Sequence, residues 1–143
     1  MTVSRIVLAS GRFEVGGEGL QVQGDFLRDE ETVDPHEVDV LSQALRVGVL
    51  SNNAALNYDG EGKVAEVVGD PMEVALLVAG AKAGLKREQL LDELPEAQEV
   101  AFDPEVKMMA TFHEQDSDYY VAVKGSPEAV LEVCTHILTS EGE

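Results

Sequence analysis

The segment from Val123 to Leu131 constrains the fold most, because it places a helix start directly after a strand, with a lysine at the join. Ser126 is a favourable N-cap, and Pro127 suits the first helical position because its missing N–H would have no partner there. Gly125 permits the sharp turn and lets a ligand approach the backbone without a Cβ in the way. A lysine in this place suits an anionic or electron-rich ligand, and a solvated lysine in an ordinary strand-to-helix connection is the alternative interpretation.

The charge balance limits the partners that the chain can bind. Its 143 residues carry 28 acidic and 10 basic side chains, a formal net charge of −18, which disfavours nucleic acid and anionic membrane surfaces. A hydrophobic fraction of 44% at this length indicates one globular domain. The longest apolar run, Val74 to Ala81, has eight residues, whereas a membrane span needs about 20. The single cysteine, Cys134, excludes an internal disulfide, fits a reducing setting, and is predicted to be a core thiol because its neighbours are apolar.

Turn residues and apolar spacing predict the elements of the N-terminal part. Gly16 to Gly19 predicts a hairpin turn that leads into a strand at Leu20–Val22. Gly24 to Asp34 is acidic and irregular, which predicts a solvated loop. Asp34-Pro35 is expected to open a helix, since apolar residues recur at helical spacing from there as far as Val49.

A second helix start is predicted at Asp70, with Pro71 in the first position and Glu73 placed to complete a capping box. That helix is expected to continue to Ala83 and to end at Gly84. Periodicity and turn residues predict the remaining elements, which are a strand at Val64–Val68, a helix at Lys86–Leu94, strands at Val100–Phe102, Lys107–Phe112 and Tyr119–Lys124, and a helix at Pro127–Cys134.

Together these elements predict an α+β fold in which helices pack on a single twisted antiparallel β-sheet. Spacing alone yields no catalytic set and no metal site. His36, His113 and His136 are far apart in the sequence, so each is interpreted as a surface or packing residue.

Three segments resemble the nucleotide-binding domain of P-type cation-transporting ATPases. They are Gly-Asp-Pro-Met-Glu-Val-Ala-Leu at 69–76, Phe-Asp-Pro-Glu-Val-Lys-Met-Met at 102–109 and Lys-Gly-Ser-Pro-Glu at 124–128. A fourth segment, Gly48 to Ala54, resembles a family stretch in which Asn-Asn-Ala closes a helix. The four segments stand in the family's order and spacing over nearly the whole chain, and the calcium-pump-like branch with its bacterial members is most similar.

The resemblance implies an adenine nucleotide site. Phe102 matches the aromatic residue on which adenine stacks, and Glu73 matches the carboxylate that accepts a hydrogen bond from the adenine amino group. Lys107 and Lys124 match the rim and floor lysines of the pocket, and Met109 matches an apolar wall. The implied lining residues are Met72, Glu73, Phe102, Lys107, Met109, Lys124, Gly125 and Ser126.

The same resemblance implies a domain without its own catalytic group. The family's phosphorylated aspartate lies in an Asp-Lys-Thr-Gly-Thr motif that this sequence does not contain, so no catalytic residue is predicted. Residues 1–143 are expected to form one nucleotide-binding domain of a larger pump, lacking its last elements and leaving a sheet edge open to a second copy. Val106 stands where many members have an arginine, which weakens the phosphate contact expected from that loop.

The predicted function is to hold ATP, as Mg-ATP in the parent enzyme, and to present it to an aspartate on a separate domain of a cation pump, which the resemblance suggests is of calcium type. The expected partners are ATP or ADP and the phosphorylation and actuator domains of the same chain. The expected location is the cytoplasmic part of an integral membrane protein, and this chain alone should bind ATP without hydrolysing it. The alternative is a non-catalytic interaction module on the same scaffold, whose acidic surface recruits a basic partner.

Overall fold

Alternating apolar residues build an N-terminal sheet in the computed structural model, which describes residues 1–140. Its four strands are antiparallel and lie in sequence order: β1 Arg5–Leu8, β2 Gly11–Val15, β3 Phe26–Arg28 and β4 Glu31–Val33. Phe13, Val15 and Phe26 are buried on one face, while Glu14 between the first two is exposed. This period of two gives the sheet one face toward the helices and one toward solvent.

The hairpin predicted around Gly16 to Gly19 is wrong. β2 pairs with β3 rather than with Leu20–Val22, so residues 16–25 form an irregular connection between the two strands. The N–H of Gly16 donates to the carbonyl oxygen of Asp25 at 2.8 Å, which closes this connection at its base.

The solvated loop predicted at Gly24 to Asp34 is also wrong, because β3 and β4 lie within it. The two strands are joined at Asp29 and Glu30, which have φ values of 53° and 68°. Two consecutive residues in the left-handed region suit a tight hairpin turn, for which glycine or asparagine is the usual signal. An Asp-Glu pair gives no such signal, so the hairpin is not visible in the sequence.

Two central helices, α1 Asp39–Leu50 and α2 Pro71–Lys82, pack against each other. α2 begins as predicted, with the Asp70 carboxylate accepting from the N–H of Met72 at 2.8 Å. α1 begins later than predicted, because Asp34 caps a separate turn through the N–H of His36 at 2.9 Å.

Most of the remaining elements lie close to the predicted bounds, but the strand predicted from Val100 begins at Glu96, and no strand was predicted at Ala55–Tyr58. These elements are β5 Ala55–Tyr58, β6 Val64–Val68, α3 Arg87–Glu93, β7 Glu96–Asp103, β8 Met108–Gln115, β9 Asp118–Gly125 and α4 Pro127–Val133. The α+β class is confirmed. Within residues 1–140, however, the strands divide into three antiparallel sheets, β1–β4, β5–β6 and β7–β9, rather than forming the single sheet that was expected.

The sheet β7–β9 lies against the helices through alternate residues of β8. Met109, Thr111 and His113 are buried on this face. The His113 ring lies with Nδ1 3.0 Å from the carbonyl oxygen of Leu94 and Nε2 2.7 Å from Thr111 Oγ1, so this histidine is a hydrogen-bonded core residue.

The C-terminal helix lies outside the core. Cys134 directly succeeds α4 and is exposed, so the prediction of a core thiol is wrong. The cause is that α4 has no buried residue and gives Cys134 little shielding from solvent. Within the part of the chain that the structure describes, no helix has the length and apolarity required to cross a bilayer.

The crossing of α1 and α2 predicts different effects for two helical glycines. A Cβ at Gly80 would lie 2.2 Å from Val49 Cγ2, whereas a Cβ at Gly48 would have its nearest contact at 3.5 Å, with Leu76 Cδ2. We expect Gly80→Ala to lower the free energy of unfolding by about 1–3 kcal/mol through overpacking. Gly48→Ala is the control and should be neutral or stabilising by up to about 1 kcal/mol, because alanine favours the helix. Urea denaturation measures both, and equal effects would contradict the close crossing.

Candidate functional site

Three of the predicted site residues stand in one row across the sheet β7–β9. Met109 on β8 pairs with Lys124 on β9. On its other side, Met109 faces β7. There Val100 pairs with Ala110 and Asp103 pairs with Met108. The two residues between them, Ala101 and Phe102, therefore both stand opposite Met109. We call Phe102, Met109 and Lys124 the site row.

The two ends of the site row differ in exposure. Phe102 lies in the β7 bulge and is 56% exposed, so its ring is free to stack with a ligand. Met109 is buried, and the Lys124 side chain is only 16% exposed. The row therefore runs from an exposed aromatic residue over an apolar one to a largely buried ammonium group.

Glu73 on the first turn of α2 meets the buried end of the row. Its Oε1 accepts from Lys124 Nζ at 2.9 Å, and the Glu73 side chain is 12% exposed. Its Oε2 lies 3.4 Å from the N–H of Asn53. The predicted capping box is wrong, because Asp70 alone caps α2 and the Glu73 carboxylate turns to Asn53 and Lys124 instead. An ammonium ion at 2.9 Å is a stronger partner for the carboxylate than a backbone N–H of its own helix start.

The join between β9 and α4 forms as the sequence predicts. Ser126 caps α4, its Oγ accepting from the N–H of Ala129 at 3.3 Å. Its own N–H donates to the carbonyl oxygen of Lys107 at 3.0 Å, which ties the join to the turn between β7 and β8. A Cβ at Gly125 would lie 2.4 Å from that same carbonyl oxygen, so the close approach requires glycine.

Two predicted lining residues remain at the surface. Met72 is on the first turn of α2 and is 48% exposed, and Lys107 is exposed at the end of the β7–β8 turn with φ of 61°. The structure thus brings Glu73, Met109 and Lys124 together, and leaves Met72 and Lys107 at the rim. Among residues 1–140 there is no cluster of histidine, cysteine and carboxylate side chains suited to a metal ion.

Comparison with known proteins identifies the family. The family model described as "P-type ATPase, cytoplasmic domain N" matches residues 40–143. The chain belongs to this family. It is 34% identical over its whole length to "Cation-transporting ATPase pma1" of Synechocystis and 35% identical over 99% of its length to "Probable cation-transporting ATPase F" of Mycobacterium tuberculosis. It is also 32% identical over 96% of its length to "Calcium-transporting ATPase" of Bacillus subtilis.

The chain spans only part of these relatives. It covers 16% of the Synechocystis and Mycobacterium proteins and 15% of the Bacillus protein. The α+β architecture agrees with that of an N domain. The match thus confirms the predicted resemblance to the nucleotide-binding domain of P-type cation-transporting ATPases, and the relatives named here come from bacteria.

Two asparagines of the N domain hold the site together, and the residues predicted from the sequence do not include them. Asn52 is fully buried and makes three hydrogen bonds: its Nδ2 donates to the carbonyl oxygens of Gly48 at 3.1 Å and Glu73 at 2.9 Å, and its Oδ1 accepts from the N–H of Ala54 at 2.8 Å. It therefore fixes the end of α1 to the turn of α2 that carries Glu73.

Asn53 connects the end of α1 to β7, the strand that carries Phe102. Its Nδ2 donates to Glu99 Oε1 at 2.9 Å, while its backbone N–H faces Glu73. Glu99 lies on β7, three residues before Phe102, so one side chain joins the two walls of the site. The Asn-Asn pair was visible in the sequence as a helix end, but its partners across the site, Glu73 and Glu99, are 20 to 46 residues away and carry no local signal.

Asn52 provides a test of this arrangement. Asn52→Ala leaves the buried N–H of Ala54 and two carbonyl oxygens without their side-chain partner, so we expect the free energy of unfolding to fall by about 2–3 kcal/mol. Asn57→Ala is the control, because Asn57 is exposed on β5 and its loss should change stability by less than about 0.5 kcal/mol. Urea denaturation measures both variants. Equal stability of the two would mean that the Asn52 amide does not hold the end of α1.

Proposed function

We propose that this N domain binds ATP, with the adenine ring stacked on Phe102 and its edge directed to Glu73 and Lys124. The observation that carries the proposal is the site row, which places an exposed aromatic ring and a buried carboxylate–ammonium pair on either side of Met109. Gly125 and Ser126 would lie along the floor, and Met72 and Lys107 at the rim.

Stacking explains how so acidic a domain could hold an anionic ligand. Base stacking on an aromatic side chain contributes about 1–3 kcal/mol and does not depend on net charge. The net charge of −18 opposes the triphosphate, and Val106 supplies no cation in the turn, so Lys107 would be the cation of that turn that meets the phosphates. We therefore assign most of the affinity to the base rather than to the phosphates.

The parent protein is proposed to be an ATP-driven cation pump of calcium type, which uses Mg-ATP and has this domain on the cytoplasmic side of the membrane. The relatives named as cation- and calcium-transporting ATPases support this assignment. Because the sequence contains no Asp-Lys-Thr-Gly-Thr motif, the chain alone is proposed to bind ATP without hydrolysing it. Its partners in the parent would be the phosphorylation and actuator domains, the first of which carries the acceptor aspartate.

Replacing the stacking ring tests the proposal. We expect Phe102→Ala to weaken ATP binding by about 5- to 150-fold, the equivalent of the lost stacking energy, with the fold retained. Tyr119→Ala is the matched control, since Tyr119 is an exposed aromatic residue on the opposite edge strand of the same sheet. Isothermal titration calorimetry measures both. Unchanged affinity in Phe102→Ala would show that stacking on this ring does not contribute to binding.

Adenosine serves as the control ligand in the same calorimetry. If the base carries most of the affinity, adenosine should bind within about tenfold of ATP. Binding of ATP a thousandfold more tightly than adenosine would show instead that the phosphates dominate.

The alternative function, an interaction module that binds a basic protein, predicts a different response to nucleotide. Under the proposed function, ATP should shift the NMR signals of Phe102, Lys107 and Lys124. Under the alternative these signals should remain in place, while a basic peptide shifts signals of the acidic surface. The exposed Phe102, in one row with Met109 and the largely buried ion pair, favours the first.

We also propose that a second copy pairs with the edge of β9, beyond which residues 1–140 supply no further strand, and next to which Tyr119, Val121 and Val123 are exposed on one face of the sheet. Like-charged copies repel, so added salt should strengthen this association. Val121→Lys should abolish it, and Val67→Lys, at an exposed valine on β6, is the control. Sedimentation velocity over a range of concentration and salt measures the dimer, and a monomer under all conditions would contradict the proposal.

A further inference from the structure

At the Glu73–Lys124 end of the site, a hydrogen-bond donor and a hydrogen-bond acceptor lie side by side. Lys124 Nζ, which can only donate, lies 2.9 Å from Glu73 Oε1, and an ionised carboxylate can only accept. Both side chains are largely buried, with exposed fractions of 16% and 12%. A ligand edge that reaches this pair therefore meets a donor and an acceptor within one hydrogen-bond length of each other.

The two kinds of purine differ at the edge that would meet this pair. Adenine presents a 6-amino donor next to the N1 acceptor. Hypoxanthine and guanine present a 6-oxo acceptor next to an N1–H donor. A lone carboxylate suits the 6-amino group and repels the 6-oxo group, because two acceptors cannot share a hydrogen. An ammonium beside the carboxylate removes that distinction, since it can donate either to N1 of adenine or to the 6-oxo group.

Of the groups around Glu73, Lys124 is the one that determines whether the site distinguishes 6-amino from 6-oxo purines. The N–H of Asn53, the other donor facing the carboxylate, is a main-chain group at 3.4 Å from Oε2. Lys107, the other predicted pocket lysine, is exposed at the β7–β8 turn and is not bonded to Glu73 in the structure of residues 1–140. Met109, next to Lys124 in the site row, has no hydrogen-bonding group that discriminates between the purines.

We infer that Lys124 makes the base site tolerant of both 6-amino and 6-oxo purines, so that this N domain distinguishes ATP only weakly from ITP and GTP. The inference rests on the proposed function, because it concerns the same site. It differs from what the family match of Glu73 implies when taken alone, which is a carboxylate that accepts from the adenine amino group and so gives a preference for adenine. Where a buried site has hydrogen-bonding groups that fit only one ligand, discrimination reaches about 10⁴-fold or more, so the two outcomes are far apart.

ATP and ITP are the probes, because they differ at the 6-position and at N1 and share the ribose and the triphosphate. The dissociation constants of both are measured by calorimetry on the unaltered chain. We expect a ratio below about tenfold. A ratio of a hundredfold or more in favour of ATP would overturn this inference while leaving the proposed function intact. Absence of binding by both nucleotides would overturn the proposed function, and this inference with it.

Lys124→Met tests the assigned cause. Methionine retains an unbranched apolar chain and removes the donor, so the ratio of the two constants should rise at least tenfold over that of the unaltered chain. Because the ratio is taken within one protein, a general loss of affinity cancels. Lys107→Met is the matched control: it removes the rim lysine and should weaken both nucleotides equally. An unchanged ratio in a folded Lys124→Met variant would overturn the role of Lys124.

The measurement on the unaltered chain stands even where Lys124→Met does not fold. In that case Glu73→Gln supplies the second variant, since an amide offers both a donor and an acceptor and is neutral. We expect its ratio to remain below about tenfold, as in the unaltered chain. A rise to a hundredfold in Glu73→Gln would contradict the inference, because the paired polarities would then not be the source of tolerance.

Discussion

The ion pair between Glu73 and Lys124 is the interaction on which the site depends, because it joins the first turn of α2 to the last strand of the sheet β7–β9. A largely buried carboxylate without its partner is costly, so each side chain holds the other in place. Asn52 fixes the backbone at Glu73 from the end of α1, and Asn53 extends the connection to Glu99 on β7. Four elements thus meet around one pair of charges.

The fold was predictable from the sequence wherever the signal is local. Asp70-Pro71 and Ser126-Pro127 combine a cap with a first-turn proline, and both helices begin where that chemistry places them. Asp34-Pro35 also combines a capping aspartate with a proline, but only a turn begins there, because the apolar residues that would pack a helix come later in the chain. The hairpin at Asp29-Glu30 was missed because its left-handed residues are neither glycine nor asparagine.

The site was predictable only in part, since its side chains come from distant places in the chain. Motif resemblance selected Phe102, Met109 and Lys124, and the ladder of the sheet aligns all three. The local pattern at Asp70-Pro71 predicted a capping box for Glu73, which forms an ion pair instead, because the ammonium that attracts it is 51 residues away. Asn53 and Glu99 were missed for the same reason. Exposure also depended on the tertiary context: Cys134 has apolar neighbours in sequence but lies beside a helix that buries nothing.

The bulge in β7 has a consequence for how a base could enter. Two residues of this strand, Ala101 and Phe102, occupy the width of one residue on β8, so the ladder is interrupted where the aromatic ring is attached. All eight residues of β7 are exposed. Among residues 1–140, β7 is an edge strand that pairs only with β8. The strand is nevertheless held to the rest of the domain, by Asn53 at Glu99 and by Arg87 at Glu96, and Met109 beneath the ring is buried. A base could therefore reach the exposed ring directly from solvent, without displacing Met109 or the helices that it packs against.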